Sequence, residues 1–114
     1  GLRNLTTRAP LAALRLRRMI LDFHRAWDAF PGFARLIDRE GIVLAANERA
    51  RQAGFAEGVR CTQVKTANRH QKCLLGRAFE TGQGQFDVSP DGLLRAWTPV
   101  DGWDGAILHL SYKK

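Results

Sequence analysis

Residues 34–47, ARLIDREGIVLAAN, constrain the fold of this chain more than any other stretch. They read as two short strands joined by the tight turn Asp38-Arg39-Glu40-Gly41, closed by an asparagine that starts a helix. Gly41 supplies the left-handed backbone that a tight hairpin needs, at no steric cost. In the second strand Ile42, Leu44 and Ala46 fall on one face, and Val43, Ala45 and Asn47 on the other. Asn47 carries a short side-chain oxygen able to accept from the N–H groups of a helix beginning Glu48-Arg49-Ala50. A hairpin that runs straight into a capped helix leaves few architectures open. It also limits where a pocket can lie.

The flanking segments add to this frame. From Pro10, a residue suited to a first helical turn, Ala13, Leu16, Ile20, Phe23, Trp27 and Phe30 recur at steps of three and four. They form one apolar stripe on a helix of about five turns, widened by Leu11, Leu14 and Leu21. Residues 1–8 read as a frayed entry, and Pro31-Gly32 stops the helix. The stripe must be buried, either across the chain's own sheet or against a second copy. Trp97 is expected on the sheet surface that this helix covers.

After the hairpin comes a short helix over 48–53 that ends near Gly54. Residues 55–69 have no clean period and read as irregular turns. HQKCLLGRAFETG reads as a helix with Cys73, Leu74, Ala78 and Phe79 on its buried side and Gly82 as its C-terminal cap. Three strands follow: 85–88, 93–100 and 106–112, separated by Ser89-Pro90-Asp91-Gly92 and by 101–105. In the last, Ala106, Leu108, Leu110 and Tyr112 share one face, and Ile107, His109 and Ser111 the other. Tight turns force antiparallel neighbours, so the reading is α+β with one antiparallel sheet.

The 114 residues allow one domain and one core. No apolar run approaches the roughly 18–20 residues of a membrane span. The chain begins without Met and is read as a piece cut from a longer protein, with a cytoplasmic setting as the expectation. The net charge is +7, and much of that net charge lies in the first thirty residues. A basic helix can meet nucleic acid or an anionic surface, but no helix-turn-helix, zinc-finger or RNA-binding signature accompanies it. A solvated helix face is the simpler reading, and no nucleic-acid partner is expected. Two cysteines are too few for a disulfide scaffold.

This order of elements, with these residues in it, resembles the PAS family of sensory modules. The residues that carry the resemblance are ARLIDREGIVLAAN, Glu57-Gly58-Val59-Arg60-Cys61, CLLGRAFETGQ, LLRAWTPV and GAILHLSY, together spanning about residues 33–112. The resemblance implies a five-stranded antiparallel sheet in the order 2-1-5-4-3, with helices on one face and a cavity between them and the sheet. It also implies two parts. Residues 1–32 would be an amphipathic dimerisation or signalling helix, with Leu16, Ile20, Phe23 and Trp27 on its working face. Residues 33–114 would be the sensory domain. The implied function is that of a non-enzymatic sensory module of a bacterial signalling protein: a histidine kinase, cyclase or transcriptional regulator. It would form a homodimer, sense a small ligand or redox cue, and act on an effector domain in the same full-length chain. A ligand-free interaction scaffold with the same fold is the alternative.

The candidate pocket residues are Cys61, His70, Cys73, Leu74 and Leu108. Flavin photochemistry is not expected, because Val59-Arg60-Cys61-Thr62-Gln63-Val64 lacks the Asn and the Phe-Leu-Gln of the light-sensing branch. Some family members bind haem through a histidine on the helix before the third strand, and His70 lies near that position. His24 and His109 lack such company, and an empty cofactor list is the default. Cys61, His70 and Cys73 form a C-x8-H-x2-C string, loosely spaced for zinc and short of four ligands. Two small buried thiols are the plain reading of the cysteines, with a Cys61–Cys73 disulfide as the redox alternative. No nucleophile–base pair, glycine-rich phosphate loop or paired-carboxylate motif stands out.

Overall fold

The computed structural model describes residues 2–61 and 73–113. The chain opens with helix α1 (Leu2–Trp27), followed by the hairpin β1 (Phe33–Asp38) and β2 (Val43–Ala46). Next come α2 (Glu48–Gln52) and α3 (Leu75–Thr81), then β3 (Gln85–Val88), β4 (Leu93–Val100) and β5 (Trp103–Lys113). The strands form one antiparallel sheet in the order β2-β1-β5-β4-β3. This is the PAS-like order that the resemblance implies.

The hairpin turn forms as its residues dictate. Gly41 has φ +80° and donates its N–H to the Asp38 carbonyl at 3.0 Å. Asp38 Oδ1 accepts from the N–H groups of Glu40 and Ile42 at 2.8 and 3.0 Å, a side-chain version of the same turn. The alternation expected in the second strand is broken. Ile37 pairs with Val43 while Leu36 pairs with Ala45, so Leu44 is an extra residue, a β-bulge. Val43 and Ala46 therefore face the same side as Ile37, and Ala45 faces the other.

Asn47 caps α2 as expected and does more. Its Oδ1 accepts from Ala50 N–H and from Ala34 N–H, each at 3.1 Å. Its Nδ2 donates to the carbonyls of Gly32 at 2.9 Å and Phe30 at 3.2 Å. One fully buried amide thus ties the segment after α1 to β1 and to α2. Nearby, Gly32 lies so close to β5 that a Cβ there would collide with the Ser111 carbonyl oxygen.

The sheet has a different layer on each face. α1 packs on one, where Phe23 meets Ala34, Leu36, Ala45 and Ala106, with Met19, Ile20, Trp27 and Leu108 around them. α2 and α3 pack on the other. There Ile37, Val43, Ala46, Ala50, Phe55 and Cys61 form one cluster, and Ala78, Trp97 and Ile107 a second, bridged by Leu75. Trp97 thus lies on the α2/α3 face, opposite to α1 and contrary to expectation. The parity of the strand decides this. Trp97 pairs with His109, which shares the side of Ile107.

Three boundaries also move. α1 begins eight residues before Pro10 and runs through it. The Leu, Arg and Ala residues upstream favour helix, and Pro10 removes only one donor from the ladder. α3 begins at Leu75, later than the expected helix, and Cys73 is exposed. β5 begins at Trp103, because Asp101-Gly102 alone closes the β4–β5 turn, with Gly102 at φ +79°. Gly82 caps α3 in the left-handed region, as expected.

Candidate functional site

The α2/α3 face of the sheet is unusual for its buried polar residues. β1, β5 and β4 present Arg35, His109, Ser111, Arg95 and Trp97 there, all less than one-tenth exposed. The pairing sets them in two cross-strand rows. Arg35 lies opposite His109, which lies opposite Trp97; Ser111 lies opposite Arg95, which lies opposite Asp87. Neighbouring strands are about 4.8 Å apart, so each row is a compact ledge of side chains.

Most of these groups are paired. Arg95 holds Asp87 with both ends of its fork, Nε to Oδ1 at 2.8 Å and Nη2 to Oδ2 at 2.7 Å. The His109 ring stacks on Trp97 with centroids 4.6 Å apart and planes 10° from parallel. Its Nδ1 lies 2.8 Å from the Ala96 carbonyl oxygen, which only accepts, so Nδ1 carries the proton.

Arg35 is different. Its Nη2 donates to Ser111 Oγ at 3.2 Å, and its guanidinium lies over the Phe55 ring, 4.3 Å from the centroid. The Cys61 thiol is within hydrogen-bonding reach. Among the described residues no carboxylate pairs with it. Its Nε and the Trp97 Nε1 are buried and have no hydrogen-bond partner among the described residues. Burial lowers the Arg35 pKa from its ordinary value to about 10, opposed by the nearby Cys61 and Cys73 sulfurs. It is therefore a cation at neutral pH. Burial raises the Cys61 pKa above 9.0, a shift that Arg35 opposes. Cys61 is thus a thiol at neutral pH.

The chain positions Cys61 through the free edge of β2. After α2 it returns antiparallel to that edge: Gly58 N–H donates to the Val43 carbonyl, Val43 N–H to Val59, and Cys61 N–H to Gly41, at 2.8–2.9 Å. This return covers the exposed edge and delivers Cys61 beneath the sheet.

The expected pocket residues divide. Cys61 is buried beside Arg35, and Leu74 packs against Ala78, Trp97 and Ile107. Cys73 is exposed, and no disulfide joins it to Cys61. Leu108 lies on the opposite face under α1, since alternate residues of β5 point to opposite sides. His70, and with it the haem and C-x8-H-x2-C readings, lies outside the described residues. Among the described residues no three His, Cys, Asp or Glu side chains gather as a metal site. Arg35, Trp97, His109 and Ser111 were not expected here. The signal for them was their shared parity with Ile37 and Ile107 along the strands.

On the other face, Phe23 is buried and Leu16, Ile20 and Trp27 are half-buried, while Leu11, Leu14 and Leu21 are exposed. Between α1 and the sheet lies an open groove of about 610 Å³, lined by Leu11, Leu14, Phe23, Trp27, Leu36 and Leu108 among others. Phe86 and Val88 of β3 share this side and are uncovered. Among the described residues no helix is long and apolar enough to cross a membrane.

No protein-family model matches the chain, and neither does any curated protein sequence. Among solved structures it is similar to the crystal structure of a sensory box sensor histidine kinase from Vibrio cholerae, at 13% identity and a TM-score of 0.60. The match covers 89% of this chain and 92% of that one, and what it establishes is the PAS-like fold.

Proposed function

We propose that this chain is a non-catalytic sensory and dimerisation module of a signalling protein. The observation that carries the reading is the contrast between the faces of one sheet. The α2/α3 face buries a row of polar side chains around Arg35, as a recognition site does. The α1 face is apolar, and its helix leaves Leu11, Leu14 and Leu21 open. The shared fold with a sensory box histidine kinase supports the same reading. A cue held on the first face would shift the balance between two states, and α1 would carry that shift to an effector elsewhere in the full-length chain. Asn47 is the joint between them, since it holds the segment after α1 against β1 and α2.

Sedimentation tests the dimer. The wild-type chain is expected to dimerise at micromolar concentration, and the double substitution Leu14→Glu with Leu21→Glu to yield a folded monomer. A wild-type chain that stays monomeric at high micromolar concentration overturns this part.

A further inference from the structure

A buried guanidinium without an anion is costly, because desolvation weakens the charged form and nothing nearby returns the loss. Arg35 is 4% exposed, and among the described residues no carboxylate reaches it. Its neighbour Arg95 has the ordinary solution, a two-pronged pair with Asp87. Among the described residues Arg35 has a hydroxyl, a thiol and an aromatic face instead. Among the described residues its Nε–H has no acceptor, and neither has the indole N–H of Trp97 in the same cross-strand row. Two orphaned donors on one buried ledge call for an acceptor.

We propose that Arg35 holds the carboxylate of a small organic acid seated between the sheet and the α2/α3 layer, with the Trp97 indole N–H as a second donor. The inference rests on the sensory reading above and gives its cue a chemical class. Carboxylate suits the site better than phosphate. One planar guanidinium edge matches one planar carboxylate, whereas a dianionic phosphate asks for further cations, and Arg95 is already committed. Beyond Ser111 and His109, the groups set around Arg35 are apolar or aromatic: Phe55, Cys61 and, across the row, Trp97. The body of the acid is therefore expected to be compact and apolar or aromatic.

The test uses acetate, butyrate and benzoate as probes, with benzamide as the uncharged analogue and inorganic phosphate as the other anion. Melting temperature and the NMR shifts of the Arg35 Nε–H and Trp97 indole N–H are followed during titration. At least one carboxylate is expected to saturate, raise the melting temperature and move both resonances, while benzamide does neither. Arg35→Met should stay folded, because it removes an unpaired buried charge, and should bind that probe at least about tenfold more weakly. Saturation that survives in Arg35→Met, an equal response to benzamide, or no response to any carboxylate overturns the proposal. A response to phosphate alone overturns the carboxylate assignment. The sedimentation test is independent: a chain that dimerises through α1 but ignores carboxylates keeps the sensory reading and loses this one.

Discussion

β5 shows the contrast between the two faces within one strand. Ala106, Leu108 and Leu110 point into the apolar layer under α1, while His109 and Ser111, set between them, point into the polar ledge beside Arg35. The same backbone thus serves two unlike surfaces. Under α1 the free energy comes from buried apolar area, which is non-directional and tolerates sliding. Under α2 and α3 it depends on whether each polar atom has a partner, which is directional and intolerant of small errors. A helix on the first kind of surface can shift at modest cost. A group on the second is either satisfied or not. That difference is what a module needs if one face is to recognise and the other to respond.

The contrast breaks most visibly at Phe23. It is buried on the sheet, the one such residue of α1 among those whose burial is described, and its truncation to Ala should cost about 3–5 kcal/mol of stability, measured by urea unfolding. A loss below about 1 kcal/mol would mean that α1 is not seated on this face, since a large aromatic side chain leaves a cavity only where it was packed.

Next comes the joint. Asn47→Ala leaves Ala34 N–H, Ala50 N–H and the Gly32 carbonyl without their side-chain partner, for a loss on the order of 3 kcal/mol. Asn47→Asp sharpens the result. It keeps the oxygen that caps α2 but replaces the Nδ2 donor with an oxygen facing the carbonyls of Gly32 and Phe30. If Asn47 mainly caps α2, this variant should be nearly as stable as wild type. If it joins the two layers, the variant should be about as damaged as Asn47→Ala, and we expect the second outcome.

The sequence makes the local devices plain and hides the long-range ones. The Asp38–Gly41 turn, the Asn47 cap, the Gly82 cap, β3 and β4 all follow from residues near one another in the chain. The bulge at Leu44 does not, because it depends on how β2 registers against β1. Arg35 is the clearest case. Between Ala34 and Leu36 it looks like any strand residue, and only the pairing of β1 with β5 places it opposite His109 and near Ser111. The two cysteines look alike in the sequence. Cys61 is buried because its backbone is hydrogen-bonded to Gly41, while Cys73 is exposed before α3.

Cys61 offers the smallest and most selective probe of the polar face. Burial raises its pKa above 9.0, with Arg35 opposing and Cys73 and Asp38 reinforcing the shift. In the unfolded chain the thiol ionises near its ordinary value, whereas the folded chain retains the proton to higher pH. Between those values the native state binds more protons than the unfolded state, so stability falls as pH rises. The contribution is intact below pH 9.0 and is lost across the window up to the raised value. Cys61→Ala removes the group, so its urea midpoint should fall less than that of wild type between about pH 8 and pH 10. If the two slopes coincide, Cys61 ionises as readily in the folded chain as in the unfolded one. The polar ledge would then be wetter than its geometry indicates, and Arg35 would be less in need of an anion.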